Sequence, residues 1–415
     1  MSKSKPATLF LFIIQPFLGF LFAIRDLRRT QNCVIFVLMA ALWGWSMSFD
    51  YTPTDNYRIA ASFCHQPVYS FQQILDARDA GKSVDMYLSI INLIVHKFSS
   101  NAKAFFGLLG LIYGCFCIAS IRFILVHRVN KNSPYLQLFV FLMFATASLA
   151  NMAMPRFWTA AWIMTFATLN LMNGKYAWTP LLLLLPYIHF SYMPVALLLA
   201  GAVFFSDFFM KHEKLLFFAL VMIFLLSFLL SEGVIGYFIP DSWISGEKAT
   251  SKYNAYVNTN QLHDRAVYSE ASAYSVANGI FTSVSQLLMK ITAFIVIIII
   301  RKHRYLFIND RRIQRIYTFI LLLGCLCFFM SILRNVGWRF IWLLWLPLYY
   351  LYYIVYDIYR LKIIQKYGFF LILINLYTIS FMFYLSYRTL DLRLFFLPLY
   401  NVIINGIDFP PVNFV

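Results

Sequence analysis

Charged residues are scarce in this chain of 415 residues, where Asp, Glu, Lys and Arg together make up 12%. A soluble domain carries about 25% charged and about 45–50% apolar residues. This chain is 61% hydrophobic and 19% aromatic, and its mean hydropathy is +0.71. The shortage of charge excludes a soluble globular protein. It predicts an all-α polytopic membrane protein, because a helix satisfies its own backbone hydrogen bonds in lipid.

Acidic residues are rarer still, with 17 Asp and Glu against 34 Lys and Arg, which gives a formal net charge of +17. A basic chain of this kind can indicate a nucleic-acid partner. Here, however, the basic residues form short clusters between apolar runs, as the positive-inside rule requires. We therefore expect no nucleic-acid binding.

Several catalytic and cofactor motifs are missing. The sequence contains no G-x-x-x-x-G-K-[ST], G-x-G-x-x-G or H-E-x-x-H, so it supports neither a nucleotide-driven engine nor a zinc protease. Four of its six cysteines form two C-x-C pairs inside apolar runs. Residues two apart on a helix point about 200° away from each other, so such a pair cannot easily chelate a metal. We expect no cofactor and no metal site.

Long apolar runs dominate the chain. With about 20 residues per crossing, the sequence predicts about twelve spans in a single integral membrane domain over 1–415. They lie near 8–24, 33–48, 104–124, 134–152, 158–172, 177–189, 192–209, 215–231, 282–300, 316–333, 340–358 and 368–386. The first run has no small-x-small cleavage site before RDLRR, which indicates a retained span.

The distribution of basic residues orients these spans. One set of alternate loops is densely basic, most of all in RKHRYLFINDRRIQR, and is assigned to the cytoplasm. The outer side then carries a loop at 49–103 with a short interfacial helix at 86–98, a second loop at 232–281, and the tail 387–415. Both termini are expected outside. If the first run only dips into the bilayer, the N-terminus moves inside and eleven crossings remain.

Four arginines lie at the outward ends of spans. The planar guanidinium group suits a phosphate or pyrophosphate held at the depth of the lipid headgroups. These candidates are Arg156, Arg334, Arg339 and Arg388. The alternative is that each arginine reaches the interface beside an aromatic belt. That belt would consist of Trp158, Trp162, Trp338 and Trp342.

Two of these arginines are five residues apart in SILRNVGWRF. In a continuous helix, positions five apart differ by about 140° around the axis, so they cannot share a face. Gly337 permits a turn that would fold both guanidinium groups toward one anion. The sequence therefore predicts an outward turn here, and the pair can act as a clamp only if the helix breaks.

Further candidates lie within spans and in the first outer loop. His189, in PYIHFSYMP, could act as a general base or donate to a phosphate, or could simply be a satisfied histidine at a helix end. Lys290 should face a cavity that binds pyrophosphate, or a partner group, unless its stem reaches the outer interface. Asp50 and Asp55 are candidates for general bases, or for binding a divalent ion or sugar hydroxyls. As solvated loop residues, these two need no function.

Aromatic and polar side chains in the outer loops suit sugar rings, which offer CH faces and hydroxyl edges. The second loop interleaves tyrosines with amides and charged groups; the alternative is a disordered polar loop. The glycan-binding candidates are Tyr51, Tyr57, Tyr253, Tyr256, His263, Arg265, Tyr268 and Trp338.

The order of these features resembles a known family. Asp50, Tyr51, Asp55 and Tyr57 are followed by the interfacial helix and then by PRFWTAAWIMTFATLNLMNGKYAWTPLLLLLPYIHFSYMPVALL. This pattern is similar to that of EpsG-like, Wzy-type bacterial polysaccharide polymerases. It covers about residues 45–210, and the family's Arg-Gln is Arg-Phe here.

The resemblance implies an activity on the outer face of the bacterial inner membrane. A glycan would move from undecaprenyl pyrophosphate to the non-reducing end of a second lipid-linked repeat unit, without nucleotide. It implies an undecaprenyl-pyrophosphate-linked oligosaccharide, membrane lipid and a chain-length regulator protein as partners, and roles for Arg156 and His189. The alternatives are another polyprenyl-carrier-dependent glycosyltransferase, an O-antigen ligase, or a lipid-linked oligosaccharide flippase. The long outer loops count against the flippase.

Overall fold

The computed structural model describes residues 7–49, 55–79, 85–127, 134–230, 273–307, 309–359 and 392–407. Within these ranges the chain forms α-helices and short 3-10 turns and no β-strand, which confirms the all-α class. The helices are α1 (Ala7–Ile14), α2 (Pro16–Ala23), α3 (Thr30–Trp45), α4 (Asp55–His65), α5 (Phe71–Asp79), α6 (Tyr87–Val95), α7 (Ala102–Val126), α8 (Pro134–Thr146), α9 (Pro155–Met172), α10 (Pro180–Ile188), α11 (Tyr192–Phe204), α12 (Ser206–Lys211), α13 (Glu213–Leu229), α14 (Ala273–Lys302), α15 (Arg311–Met330), α16 (Arg334–Tyr359) and α17 (Leu399–Ile407).

The long apolar segments are those expected of a membrane protein. Four in the described ranges are long and apolar enough to cross a bilayer: Ala102–Val126, Leu136–Ala153, Ser283–Lys302 and Arg311–Met330. Each overlaps a span predicted from hydropathy. The predicted span 368–386 lies outside the described residues.

The N-terminal apolar segment is not one straight helix. The backbone of Gln15 is extended, with φ −145° and ψ 100°, and it separates α1 from α2. The chain bends so sharply there that Gly19 lies directly against the backbone of Phe12. Each of these eight-residue helices is about 12 Å long, well short of a bilayer of about 30 Å. This geometry favours the alternative in which the segment dips into the bilayer and eleven crossings remain.

Small residues let α3 and α7 pack closely. A Cβ atom on Gly44 would collide with the backbone of Phe106, and one on Gly110 would collide with the carbonyl oxygen of Ala40. A Cβ on Gly114 would lie 2.7 Å from the Cβ of Ala40. The backbones of the two helices therefore touch, as in the small-residue interfaces of membrane helices.

Helix α9 is the central helix and is buried along almost its whole length. Several of its polar side chains donate to backbone carbonyl groups one turn back. Thr165 donates to Ala161 and Thr168 to Met164, both at 2.8 Å. The packing of α9 against α7, α10, α11, α15 and α16 fixes its N-terminus among the ends of its neighbours.

The first outer loop is folded into helices. Its described residues form α4, α5 and α6, and α6 corresponds to the interfacial helix predicted at 86–98. Its nine residues extend about 13 Å, which is too short for a crossing. Within the predicted tail, α17 packs on α1 and α3.

A buried carboxylate ties helices together at the inner end. Glu213, at the start of α13, is 1% exposed and accepts hydrogen bonds from Arg301 at 2.8 Å and Tyr317 at 3.0 Å. It also pairs with Arg304. The inner ends of α13, α14 and α15 are thereby joined by a charge network that offsets the cost of burying the carboxylate.

Candidate functional site

A pocket of about 140 Å³ lies where the first turns of α4 and α9 meet the end of α10 and the second turn of α16, on the side predicted to face outward. Its lining includes four residues predicted from the sequence. These are Asp55, Arg156, His189 and Arg339, and they are joined by Arg58, Ile59, Met154, Pro155 and Phe157. Asp55 and Arg339 are 284 positions apart in the chain. Tertiary packing therefore brings together candidates that the sequence places in four separate segments.

Arg156 occupies the first turn of α9. The helix begins at Pro155, whose fixed φ suits the first position, and Met154 before it makes no side-chain capping bond. A helix N-terminus carries a partial positive charge, so a cation there is unfavourable unless an anion compensates it. In this structure the compensating anion is Asp85, which pairs with Arg156 at 2.7 Å.

Asp85 belongs to this candidate site, although the sequence alone did not single it out. One carboxylate oxygen binds Arg156, and the other accepts a hydrogen bond from the backbone N–H of Phe190 at 2.8 Å. The side chain is only 10% exposed. Next to it, Met86 N–H donates to the Tyr187 carbonyl at 2.9 Å. The one signal available in the sequence was a single acid placed directly before the apolar helix α6.

The imidazole of His189 has a defined tautomer. Its Nδ1 lies 3.3 Å from the backbone N–H of Ser191 and 2.7 Å from the hydroxyl of the same residue. A backbone N–H can only donate, so Nδ1 is an acceptor and the neutral ring carries its proton on Nε2. The ring is braced edge-on by Phe157 at 5.6 Å. This arrangement favours donation to an anion over action as a general base.

Asp55 opens α4 and faces two guanidinium groups. It lies 3.3 Å from Arg339 and 3.6 Å from Arg58. Arg339 is three-quarters buried and its guanidinium carbon lies 5.4 Å from the ring centre of Trp338. An acceptor hydroxyl that used Asp55 as a base would have to displace one of these arginines.

The pocket has the electrostatics of an anion site. Arg58, Arg156 and Arg339 outnumber the carboxylates of Asp55 and Asp85, which leaves one net positive charge. The helices α4 and α9 also begin at residues that line the pocket, and helix N-termini present backbone N–H groups to anions. Such an arrangement can bind a phosphate or pyrophosphate and stabilise negative charge that develops on a leaving group.

The turn predicted within SILRNVGWRF lies before Arg334 and not between Arg334 and Arg339. The structure turns at residues 331–333, and α16 begins at Arg334 and continues through Gly337. A Cβ on Gly337 would lie 2.6 Å from the Cα of Ser331, so glycine serves close packing at this turn. A turn is therefore present in SILRNVGWRF, at its first three residues, but the helix does not break at Gly337, and the condition for a two-arginine clamp is not met. The side chain of Arg334 lies outside the described part of the structure.

Lys290 does not line the pocket. It is 6% exposed, donates to the carbonyl of Ser227 at 3.1 Å and lies 3.9 Å from the ring centre of Phe228. Helix α13 ends nearby, and a cation is favourable at a helix C-terminus. The contacts fit the alternative in which this lysine meets a partner group.

The remaining sequence candidates are distributed as follows. Tyr57 is half-buried on α4, and Trp338 is half-buried beside Arg339. Those that fall outside the described residues are Asp50, Tyr51, Tyr253, Tyr256, His263, Arg265, Tyr268 and Arg388.

The aromatic-belt alternative fails for three of its four tryptophans. Trp158 and Trp162 have no exposed surface, and Trp342 is 2% exposed. Trp158 and Trp342 pack together with ring centres 6.2 Å apart. A belt residue lies at the membrane surface, whereas these side chains form the core beneath the pocket.

Helical structure throughout the described ranges, together with four segments able to cross a bilayer, defines the class as a helical membrane protein. Comparisons with models of protein families, with curated proteins and with solved structures found no match to this chain. The resemblance to polysaccharide polymerases therefore stays a prediction.

Proposed function

We propose that this protein is a bacterial inner-membrane polysaccharide polymerase that uses a glycan linked to undecaprenyl pyrophosphate. The observation that carries the proposal is the convergence of Arg156, His189 and Arg339 in one pocket at the outer ends of the spans. Fixed cations beside a neutral N–H donor are what a pyrophosphate leaving group needs.

The reaction breaks the bond between the anomeric carbon and the pyrophosphate oxygen. The acceptor hydroxyl oxygen forms the new glycosidic bond, and the carrier leaves as undecaprenyl pyrophosphate. Arg156 and Arg339 would stabilise its charge, while Nε2–H of His189 would donate to it. The acceptor proton would pass to a carboxylate, for which Asp55 lies in the pocket. The link to pyrophosphate stores the energy, so no nucleotide is needed.

The electrostatic arrangement supports a transferase over a flippase. The cations lie at the outer ends of helices, and two are held by carboxylates that an anionic substrate would have to replace. A site of this kind can bind charge at the membrane surface. A chain-length regulator protein would bind the protein on the same outer face.

The test uses purified protein and a synthetic undecaprenyl-pyrophosphate-linked repeat unit, with products separated as a ladder on a gel. Wild-type protein should build a ladder, and Arg339→Ala should reduce the rate by at least about 100-fold because one fixed cation is lost. Arg28→Ala removes an arginine that pairs with Asp26 at the inner end, and it should leave the ladder unchanged. Arg334→Ala tests the other arginine of the pair, which lies about 140° from Arg339 around the axis of α16.

Three results would contradict the proposal. Transfer of one preformed glycan to an acceptor lipid, without chain growth, would identify a ligase. Movement of the substrate across vesicles without chain growth would identify a flippase. Equal ladders from wild type and Arg339→Ala would show that the pocket takes no part in the reaction.

A further inference from the structure

A groove of about 500 Å³ lies between α2, α3, α7 and α8. Ligand pockets in proteins commonly have volumes of about 300–1,000 Å³. On α8 the lining runs from Gln137 to Phe144, which corresponds to about 10 Å along the helix axis. Helix α7 and the segment that begins at Leu136 are both long and apolar enough to cross a bilayer. The groove therefore follows two predicted spans, where membrane lipid has access to it.

The floor of the groove is aromatic. The ring centres of Phe20 and Phe36 lie 5.7 Å apart, and those of Phe36 and Phe144 also lie 5.7 Å apart. Phe36 is 1% exposed, whereas Ile24 and Phe141 in the walls are 40% and 51% exposed. A closed floor below exposed apolar walls suits a hydrocarbon chain.

Charged and polar groups also line this groove. Arg25, Asp26 and Arg28 belong to the connection between α2 and α3, and Gln137 belongs to α8. Asp26 is held by Arg28 at 3.1 Å and by Arg29 at 2.9 Å, so its charge is neutralised within the connection. None of the carboxylates that the structure describes pairs with Arg25, which leaves this cation available to an anion.

The electrostatics of the connection favour an anionic headgroup. Two arginines on one carboxylate already leave a positive charge, and Arg25 adds to it. Arg122 of α7 reaches the same connection, where it donates to the hydroxyl of Thr30 at 3.1 Å. Such a cluster attracts a phosphate and repels the ammonium group of a zwitterionic lipid. Charge therefore distinguishes anionic from zwitterionic lipid here.

We propose that this groove binds an anionic phospholipid, with one acyl chain against the phenylalanine floor and the phosphate at Arg25 and Gln137. A guanidinium group forms charge-assisted hydrogen bonds to phosphate oxygens, and the amide of Gln137 supplies a second donor from α8. The groove shares no lining residue with the candidate site described above. Lipid binding here is therefore independent of the proposed reaction.

Photochemical labelling tests the site in a membrane. The full-length protein is placed in phosphatidylcholine vesicles with a trace of phosphatidylglycerol that carries a photoactivatable group at the end of one acyl chain. We expect labels at residues 20–36, 121–125 or 137–144, reduced by unlabelled phosphatidylglycerol and not by phosphatidylethanolamine.

Three results of the labelling would overturn the proposal. Equal competition by the two lipids would mean that the groove holds membrane lipid of any charge. Competition by inorganic phosphate would identify a free anion as the ligand. Labels confined to other parts of the chain would mean that the acyl chain does not enter the groove.

Arg25→Gln tests the contact with the headgroup. It should weaken the binding of phosphatidylglycerol by about tenfold, measured by titration of the protein in detergent, because a charge-assisted bond is lost. Arg78→Gln is the matched control, since this exposed arginine also lies against an aromatic ring, that of Tyr187, but does not line the groove. Equal binding by Arg25→Gln and wild type would contradict the proposed contact.

Ile24→Trp tests the contact with the acyl chain, because a larger side chain in this wall fills the groove. Ile298→Trp makes the same change on α14, at a position that is 41% exposed and does not line the groove. The first should lower labelling by the acyl-chain probe about tenfold, and the second should not change it. Equal labelling of the two variants would show that the chain binds elsewhere.

Discussion

At the scale of single residues, Asp85 links the two parts of the pocket that carry its chemistry. Its carboxylate holds the guanidinium of Arg156 and the backbone beside His189 at the same time. A nearly buried carboxylate that bridges two chain segments is costly unless both oxygens are satisfied, and here both are. We infer that Asp85 is a positioning residue for the pocket.

Exchange of the two charges separates the structural role of Arg156 from its proposed role in binding. The double variant Asp85→Arg, Arg156→Asp restores an ion pair but moves the cation away from the start of α9. Arg156→Ala removes the charged partner of the nearly buried Asp85, which should lower stability by about 1–3 kcal/mol. The exchange should recover much of that loss in thermal unfolding and should not restore the polymer ladder.

The informative comparison is between the unfolding midpoint and the product ladder of the same preparations. A double variant that regained both stability and chain growth would show that Arg156 acts only as a structural partner. The exposed acid Asp76 on α5 provides the control, because Asp76→Asn removes a charge outside the pocket.

At the scale of helices, the contact between α3 and α7 depends on glycine. A Cβ at Gly110 would meet the carbonyl oxygen of Ala40, which belongs to backbone and cannot move aside cheaply. The spacing of Gly110 and Gly114 is the G-x-x-x-G pattern of close membrane helices. This contact holds the two spans on either side of the first outer loop, which carries Asp55 and Asp85.

Gly110→Ala should therefore destabilise the protein by about 1–3 kcal/mol, although alanine is the better helix former. The measurement is the unfolding midpoint in detergent. Gly201→Ala on α11 is the control, because the nearest atom to its added Cβ is the ring of Phe209 at 3.7 Å. Stability of Gly110→Ala equal to that of Gly201→Ala would show that α3 and α7 do not pack this closely.

Helix α16 shows that helical periodicity does not predict where a helix breaks. Residues five apart on a helix cannot share a face, so a clamp by Arg334 and Arg339 depended on a break that Gly337 permits and that the structure does not have. Gly337 stays helical, and its lack of a side chain leaves room for the backbone of Ser331. Local sequence could not distinguish a glycine that turns the chain from one that permits close packing.

At the scale of the whole molecule, the pocket supports the prediction of which helix ends face outward. The residues predicted to lie outside, Asp55, Arg156, His189 and Arg339, line one pocket. Arg301 and Arg304, from the basic stretch predicted to be cytoplasmic, lie instead around Glu213. The candidates predicted to lie outside and these two basic residues therefore belong to separate clusters in the described part of the structure.

Cysteine labelling tests this orientation directly. Cys64 is exposed on α4, whereas Cys115 lies within the span α7. A membrane-impermeant maleimide should label Cys64 in intact spheroplasts and should not label Cys64→Ser. Partial burial raises the pKa of the Cys64 thiol, so its labelling should accelerate as the pH rises and more thiolate forms.

A cysteine placed at Lys302, at the inner end of α14, gives the opposite expectation in a Cys64→Ser background. It should react only after the membrane is disrupted. Labelling of this site in intact spheroplasts, together with no labelling of Cys64 in the wild-type protein, would reverse the assigned orientation.

The sequence by itself determined the class and the positions of the four long apolar segments, because burial in lipid acts on runs of about 20 residues within one segment. It also identified Asp55, Arg156, His189 and Arg339 as candidates, because a polar group at a span end is costly without a use. Only the tertiary structure decided that these four meet and that Asp85 joins them. Their distances depend on how helices far apart in the chain pack, and side-chain periodicity does not carry that information.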